Sequence, residues 1–121
     1  MTMNTIRNRV SLIGNLGNDP EVREIAAGRK VARLSLATHD SYRNASGERI
    51  SDTQWHTVVA WGSTADQVER LLRKGTAVAL EGKLVHRSYE TATGEKRYIT
   101  EIVLNGFQLL NGQRAQLAEA A

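Results

Sequence analysis

Residues 53–75 read Thr53-Gln54-Trp55-His56-Thr57-Val58-Val59-Ala60-Trp61-Gly62-Ser63-Thr64-Ala65-Asp66-Gln67-Val68-Glu69-Arg70-Leu71-Leu72-Arg73-Lys74-Gly75, and the period of the apolar positions changes inside this stretch. Up to Trp61 the period is two. Trp55, Thr57, Val59 and Trp61 share one face and His56, Val58 and Ala60 the other, as in a strand with both faces partly apolar. After Gly62 the period becomes helical. Ser63 to Asp66 has the spacing of a capping box, and Ala65, Val68, Leu71 and Leu72 fall on one face. Arg73 and Lys74 fill the last turn, favourable against the dipole, and Gly75 suits a left-handed cap. A strand that runs into one short helix, too short to cover a parallel sheet, points to a mainly β architecture.

The flanking segments agree. RNRVSLIGNL, from Arg7 to Leu16, is β-rich and stops at Gly17-Asn18-Asp19-Pro20, four residues that each favour turns. A short extended piece around Val22 to Ile25 leads through Ala27-Gly28 into Lys30 to Thr38, where Ala32, Leu34 and Leu36 alternate with Val31, Arg33 and Ser35. Asp40 to Asp52 is polar and reads as a long exposed loop or hairpin extension. Thr76 to Val85, with Val78, Leu80 and Leu84 on one side, and Arg97 to Leu104 are further strands. Ser88 to Lys96, with a turn at Gly94, is a second long hairpin. The order is strand, strand, strand, helix, strand, strand. It predicts an all-β fold with one short helix, a five-stranded Greek-key barrel of the OB type with long hairpin extensions. A small β-sandwich with a stray helix is the alternative.

A chain of 121 residues fits one domain, expected over 1–110, with 111–121 as a short, frayed extension that offers little apolar surface to dock. Without cysteine there is no disulfide framework, and three scattered histidines make a poor metal site, so neither metal nor cofactor is expected. Met1 to Val10 carries Arg7 and Arg9 and no long apolar run, so no signal peptide or membrane span is read, and a cytoplasmic location is expected. The net charge is only +3, but the basic residues are mostly arginine, whose planar fork suits phosphate and whose face stacks on bases.

Tyr42, Trp55, Trp61, Tyr89, Tyr98 and Phe107 are all the aromatic residues. Core packing is the default role for a tryptophan. Tyr42 and Tyr89, however, lie in the two polar hairpins, each near an arginine (Tyr42-Arg43; Arg87-Ser88-Tyr89), and Trp55 and Trp61 share a strand face ~20 Å apart, room for several unstacked nucleotides. Arg33, Arg43, Arg49, Lys83, Arg87, Lys96 and Arg97 are set among them and could follow a phosphate backbone, although each alone is better explained as a solvated surface charge. Catalytic readings are weaker. Asp40, Glu48 and Asp52 lack the spacing of a calcium loop. No nucleophile elbow surrounds Ser63, and His56 lies within a strand, so a triad with Asp66 carries little weight. Gly14-Asn15-Leu16-Gly17 has the GXXG spacing but follows a strand rather than lying between helices, and reads as a barrel corner. No enzyme activity is expected.

The chain resembles the bacterial single-stranded DNA-binding protein family over nearly all of Asn8 to Leu110. The resemblance rests on ordered runs: Val10-Ser11-Leu12-Ile13-Gly14-Asn15-Leu16-Gly17-Asn18-Asp19-Pro20-Glu21-Val22-Arg23, Leu36-Ala37-Thr38, Gln54-Trp55-His56-Thr57-Val58-Val59, Leu72-Arg73-Lys74-Gly75 and Val78-Ala79-Leu80-Glu81-Gly82-Lys83-Leu84. It implies an OB-fold homotetramer, cytoplasmic and nucleoid-associated, that wraps single-stranded DNA in replication, recombination and repair. Tyr42, Trp55, Trp61 and Tyr89 take the stacking positions. His56 falls where the family places a histidine at a subunit contact. Tyr42 and Tyr89 stand where well-known members carry tryptophan, and the smaller tyrosine ring should weaken stacking modestly. The last residues, Gln113 to Ala121, lack the acidic, Phe-terminated tip through which family members recruit other enzymes, which leaves recruitment of replication or repair proteins in doubt.

Overall fold

In the computed structural model, which describes residues 7–25 and 28–110, six strands and one helix follow one another as β1 (Val10–Leu16), β2 (Glu21–Ile25), β3 (Arg29–Arg43), β4 (Arg49–Trp61), α1 (Ser63–Leu71), β5 (Ala77–Glu90) and β6 (Lys96–Leu110). The strand order is β1-β5-β6-β4-β3-β2, and β1 also pairs with β3. That last pairing, Asn15 with Ala37 and Leu16 with Leu36, closes a five-stranded barrel of β1, β5, β6, β4 and β3, while β2 lies along the first part of β3. The expected five-strand barrel is therefore present, with the short extended piece after Pro20 as a sixth strand outside it. The extension expected at 111–121 lies outside the described residues.

Alternation decides what the barrel encloses. Leu34 and Leu36 of β3, Val58 of β4 and Val78 of β5 are fully buried, together with Val68 and Leu72 from the helical segment, and Leu16, Leu80, Ile102 and Leu104 complete the core. At ~25 cal/mol per Å² of apolar area removed from water, these aliphatic side chains are the main source of stability. Leu84 shares the face of Val78 and Leu80, as expected, but lies at the edge of the core and is 37% exposed. The β5–β6 pairing is irregular between Glu81 and Gly82, and past that point Leu84 pairs with Ile102, where β6 meets the end of its contact with β4.

The helix differs from its sequence reading in three details. Its N-cap is Gly62, with φ 61° and no side-chain cap bond, so the Ser63-to-Asp66 capping box does not form. Asp66 is engaged elsewhere: Lys30 Nζ of β3 lies 2.8 Å from both Asp66 and Glu69, and these carboxylates hold the lysine pKa above its ordinary value. The helix also stops at Leu71. Arg73 caps it from outside, donating from Nη1 to the carbonyls of Glu69 and Leu72, while Gly75 turns the chain three residues past the C-cap at φ 88°. Of the adjacent leucines only Leu72 is buried, and Leu71 is 47% exposed.

Both hairpins end in the same device. Asn44-Ala45-Ser46-Gly47-Glu48 and Thr91-Ala92-Thr93-Gly94-Glu95 each close with an amide-to-carbonyl bond from the glycine back to the first residue, and with one from the first residue to the glutamate carbonyl. The first side chain also accepts from the glutamate amide in each case. Each glycine takes the left-handed conformation that such a turn requires. Because β4 and β6 run parallel where they meet, at Val58–Ile102 and Val59–Val103, the two hairpins project from the same end of the barrel.

Candidate nucleic-acid interface

Register places the candidate residues. β3 and β4 pair without interruption from Val31–Trp61 to Arg43–Arg49, so Arg33, Arg43, Arg49, Trp55 and Trp61 alternate onto the face that points away from the core. On β5 and β6, Lys83, Arg87, Tyr89 and Arg97 fall on that same outer face through the pairings Lys83–Val103 and Tyr89–Arg97. Tyr42, opposite Ile50, and Lys96, opposite Glu90, alternate onto the other face. Tyr42 remains 57% exposed because its hairpin has by then run past the barrel. Tyr42 belongs to β3 itself rather than to a loop, since the polar stretch from Asp40 onward continues the strand as a hairpin extension.

The rings on the outer face are accessible and seated. Trp55 is 63% exposed and Tyr89 48%. One side of the Trp55 ring rests on Gly17, where an added methyl group would overlap it, and its strand partner Ala37 is buried beneath. Gly17 is itself held at the corner after β1. Its amide donates to the Ser35 carbonyl (2.9 Å), the Asn18 Oδ1 accepts from the Ser35 amide (2.9 Å), and the Asp19 Oδ1 accepts from the Lys74 amide (2.8 Å). The turn residues of Gly17-Asn18-Asp19-Pro20 thus fix the floor under a tryptophan nearly forty positions away. Gly17→Ala is expected to leave the barrel folded, displace the Trp55 ring and shift its fluorescence emission, with a matching loss of oligo-dT affinity in titration.

Trp61 has a different support. Arg29, at the start of β3, places its guanidinium carbon 5.7 Å from the ring centroid, within cation–π range. A groove of about 460 Å³ adjoins the ring, lined also by Arg23, Arg33, Val59, Arg87 and Glu101. Arg23 and Arg29 were not among the sequence candidates. The signal that could have found them is the period-two pattern of β2 and β3, which sets Arg23 beside Val31 and so onto the tryptophan face.

The arginines are not uniformly free. Glu101 of β6 is the buried charged residue among the described ones, 5% exposed. Arg87 grips it with two bonds, Nε to Oε1 at 2.8 Å and Nη2 to Oε2 at 3.1 Å, and Arg33 adds Nη2 to Oε2 at 2.9 Å. Arg97 pairs with Glu95 at 3.1 Å, and Arg43 donates to the Gly47 carbonyl at 3.1 Å. The Arg87 bonds hold the Glu101 carboxyl below its ordinary range against the opposing effect of burial, with the positive charges of Arg87 and Arg33 acting in the same direction. A carboxylate whose folded pKa is depressed supplies stability that is complete above its unfolded value of about 4.3 and is lost as pH falls through the folded one. Glu101→Gln is therefore expected to lower the melting temperature near neutral pH, and the gap to the parent should narrow below pH ~4 in thermal melts.

The other constellations do not assemble. His56 Nε2 is 3.0 Å from Thr38 Oγ1 and Asp66 is held by Lys30, so the triad candidates are engaged with other partners. Asp40 and Asp52 are cross-strand neighbours, but no cluster of three metal-ligating side chains occurs among the described residues.

Comparison with known proteins decides the family. Residues 7–110 match the single-strand binding protein family. The chain belongs to that family. It is 46% identical over 107 residues to single-stranded DNA-binding protein 1 of Chlorobaculum tepidum, a match that spans 88% of this chain and 66% of that protein. Among solved structures it is similar to a Plasmodium falciparum SSB in complex with ssDNA (TM-score 0.80, 34% identity, 87% of this chain and 96% of that one). It is also similar to a deletion mutant of the single-stranded DNA binding protein from Thermus aquaticus (TM-score 0.78, 29% identity, 88% of this chain and 52% of that one). The fold of this member of the single-strand binding protein family is thus the OB barrel of those structures, and the sandwich alternative is set aside.

Proposed function

We propose that this protein binds single-stranded DNA with little sequence preference and protects it during replication, recombination and repair. The observation that carries the reading is the outer face of β4. Trp55 and Trp61 lie six residues apart on one strand, both exposed, with arginines of β3 and β5 beside them. Every base offers a π-face, so stacking on such rings tolerates any sequence, and cations along the track neutralise phosphates. Trp55, Trp61 and Tyr89 stack bases on this face, and Tyr42 adds a ring near the tip of the β3–β4 hairpin. Arg33, Arg43, Arg49, Lys83, Arg87 and Arg97 take phosphates, with Lys96 at the edge of the track. The similar proteins, a single-stranded DNA-binding protein and an SSB in complex with ssDNA, support the same ligand. Titration with oligo-dT at two salt concentrations tests this: tryptophan fluorescence should be quenched, with affinity falling as salt rises. Unquenched fluorescence at low salt would overturn the reading.

The same reading includes self-association as a homotetramer, cytoplasmic and nucleoid-associated in the cell. A second groove, of about 540 Å³, lies on β1, β5 and β6 away from the tryptophans and is lined by Leu12, Ile13, Ala79, Leu80 and Phe107. Apolar surface of this kind is suited to a subunit contact, and the half-buried His56 is the further contact candidate. Mass measurement in solution tests this: four chains are expected, and a dimer would favour instead an OB-fold protein–protein adaptor for which DNA binding is secondary.

A further inference from the structure

Glu101 presents a problem for a phosphate-binding surface, since a buried carboxylate in the middle of a track for an anionic ligand should weaken it. Its placement resolves the problem. Glu101 alternates onto the outer face of β6, so its burial comes from the two arginines laid over it rather than from the core. Arg87 reaches it from the neighbouring strand β5, and Arg33 reaches it from β3 across the intervening β4, passing over Val59, its own strand partner. Val59 is 5% exposed although it faces outward. The three side chains form a strap across four strands at the groove beside Trp61.

The carboxylate has a bond to each of its oxygens, while the guanidiniums keep free donors. Arg87 commits Nε and one hydrogen of Nη2, and Arg33 commits one hydrogen of Nη2. Both side chains remain about half exposed, at 47% and 49%, and among the described residues Nη1 of each has no hydrogen-bond partner. The strap keeps a net charge of +1. Two long side chains that would otherwise sample many rotamers are held at the groove with donors still free, so less ordering remains to be done when an anion arrives.

We propose that Glu101 is a positioning residue for DNA binding, which pre-orders Arg33 and Arg87 as a two-pronged phosphate clamp beside Trp61. The inference rests on the reading that these arginines contact phosphate. It is tested on the full chain by oligo-dT titration of Arg33→Gln, Arg87→Gln, Arg87→Lys, Glu101→Gln and the double variant Glu101→Gln with Arg87→Gln. Each arginine-to-glutamine change should weaken binding by about tenfold, the scale of one charge-assisted contact. Glu101→Gln should weaken it comparably, even though it removes a negative charge from the track. In the Glu101→Gln background the further Arg87→Gln change should cost little, because the clamp is already lost. Arg87→Lys, which keeps the charge without the fork, should lose most of what Arg87→Gln loses.

Binding by Glu101→Gln that is as tight as the parent's, or tighter, would make the carboxylate a bystander or a brake and overturn the proposal. Effects that simply multiply in the double variant would do the same, as would an Arg87→Lys protein that binds like the parent. If Arg33→Gln and Arg87→Gln both bind as the parent does, the phosphate reading itself fails. Should Glu101→Gln not fold, as judged by thermal melting, the comparison of Arg87→Lys with Arg87→Gln decides alone, because Arg87 is half exposed and its replacement leaves the core untouched.

Discussion

Replacement of Trp55 by alanine is expected to weaken binding of oligo-dT by roughly 5- to 150-fold, the range that corresponds to ~1–3 kcal/mol for one base stacked on one aromatic ring. The upper part of the range is expected because the ring is pre-set. One side is seated on Gly17 and the other is open, so a base gains a rigid surface without the ring having to be ordered first. Removing it exposes Gly17 and Ala37 to solvent, neither of which offers a π-face. The loss should persist at high salt, because stacking, unlike phosphate neutralisation, does not depend on counterion release. The same substitution should cost more at Tyr89, on the outer face with Trp55, than at Tyr42, which alternates onto the other face. Competition titrations of the three alanine variants at high salt check the order. Equal, small losses at all three positions would mean that this face is not the stacking track.

How far the sequence foretold this surface depends on the range of the interactions involved. Period two in Lys30 to Thr38 and in Thr53 to Trp61 is a local signal, and it located both strands and placed Trp55 and Trp61 together. The turn chemistry of Gly17-Asn18-Asp19-Pro20 was equally local. Polar composition left Asp40 to Asp52 open as a loop or a hairpin extension, and it is the extension, because an antiparallel ladder needs no apolar face once the hairpin has left the core. The helix end was misjudged for a related reason. Leu71 and Leu72 both suit a helical apolar face, and only tertiary packing selects Leu72. The Glu101 strap was not legible at all. Its partners are 14 and 68 positions away, and nothing in Tyr98-Ile99-Thr100-Glu101-Ile102 separates a carboxylate covered by two arginines from a solvated one. The Trp55 seat is the same kind of case, since Gly17 reads as a turn residue until the barrel closes over it.

Gly14→Ala is expected to be strongly destabilising for a single methyl addition, costing ~3 kcal/mol and lowering the melting temperature by ~10–20 °C. Gly14 is buried in β1 where that strand meets β3 to close the barrel. A methyl group there would overlap the backbone carbonyl of Ala37. A clash with the end of a flexible side chain can be relieved by a change of rotamer, but one with backbone can be relieved only by moving a strand. The strand that must move is the closing one, whose ladder pairings with β3 are Asn15 with Ala37 and Leu16 with Leu36. Where a backbone accepts alanine without strain, glycine-to-alanine replacement stabilises by ~0.4–1 kcal/mol through the unfolded state, so even the sign of the effect is informative. The damage should also reach the binding face. Gly17 follows three residues later on the same segment and donates to the Ser35 carbonyl of β3, so a displaced β1 carries the floor of Trp55 with it. Thermal melting and tryptophan emission, followed on one sample, should therefore change together in Gly14→Ala, whereas Gly17→Ala should alter the emission with a far smaller change in melting. A Gly14→Ala protein that melts like the parent would mean that β1 and β3 do not approach each other this closely at the seam.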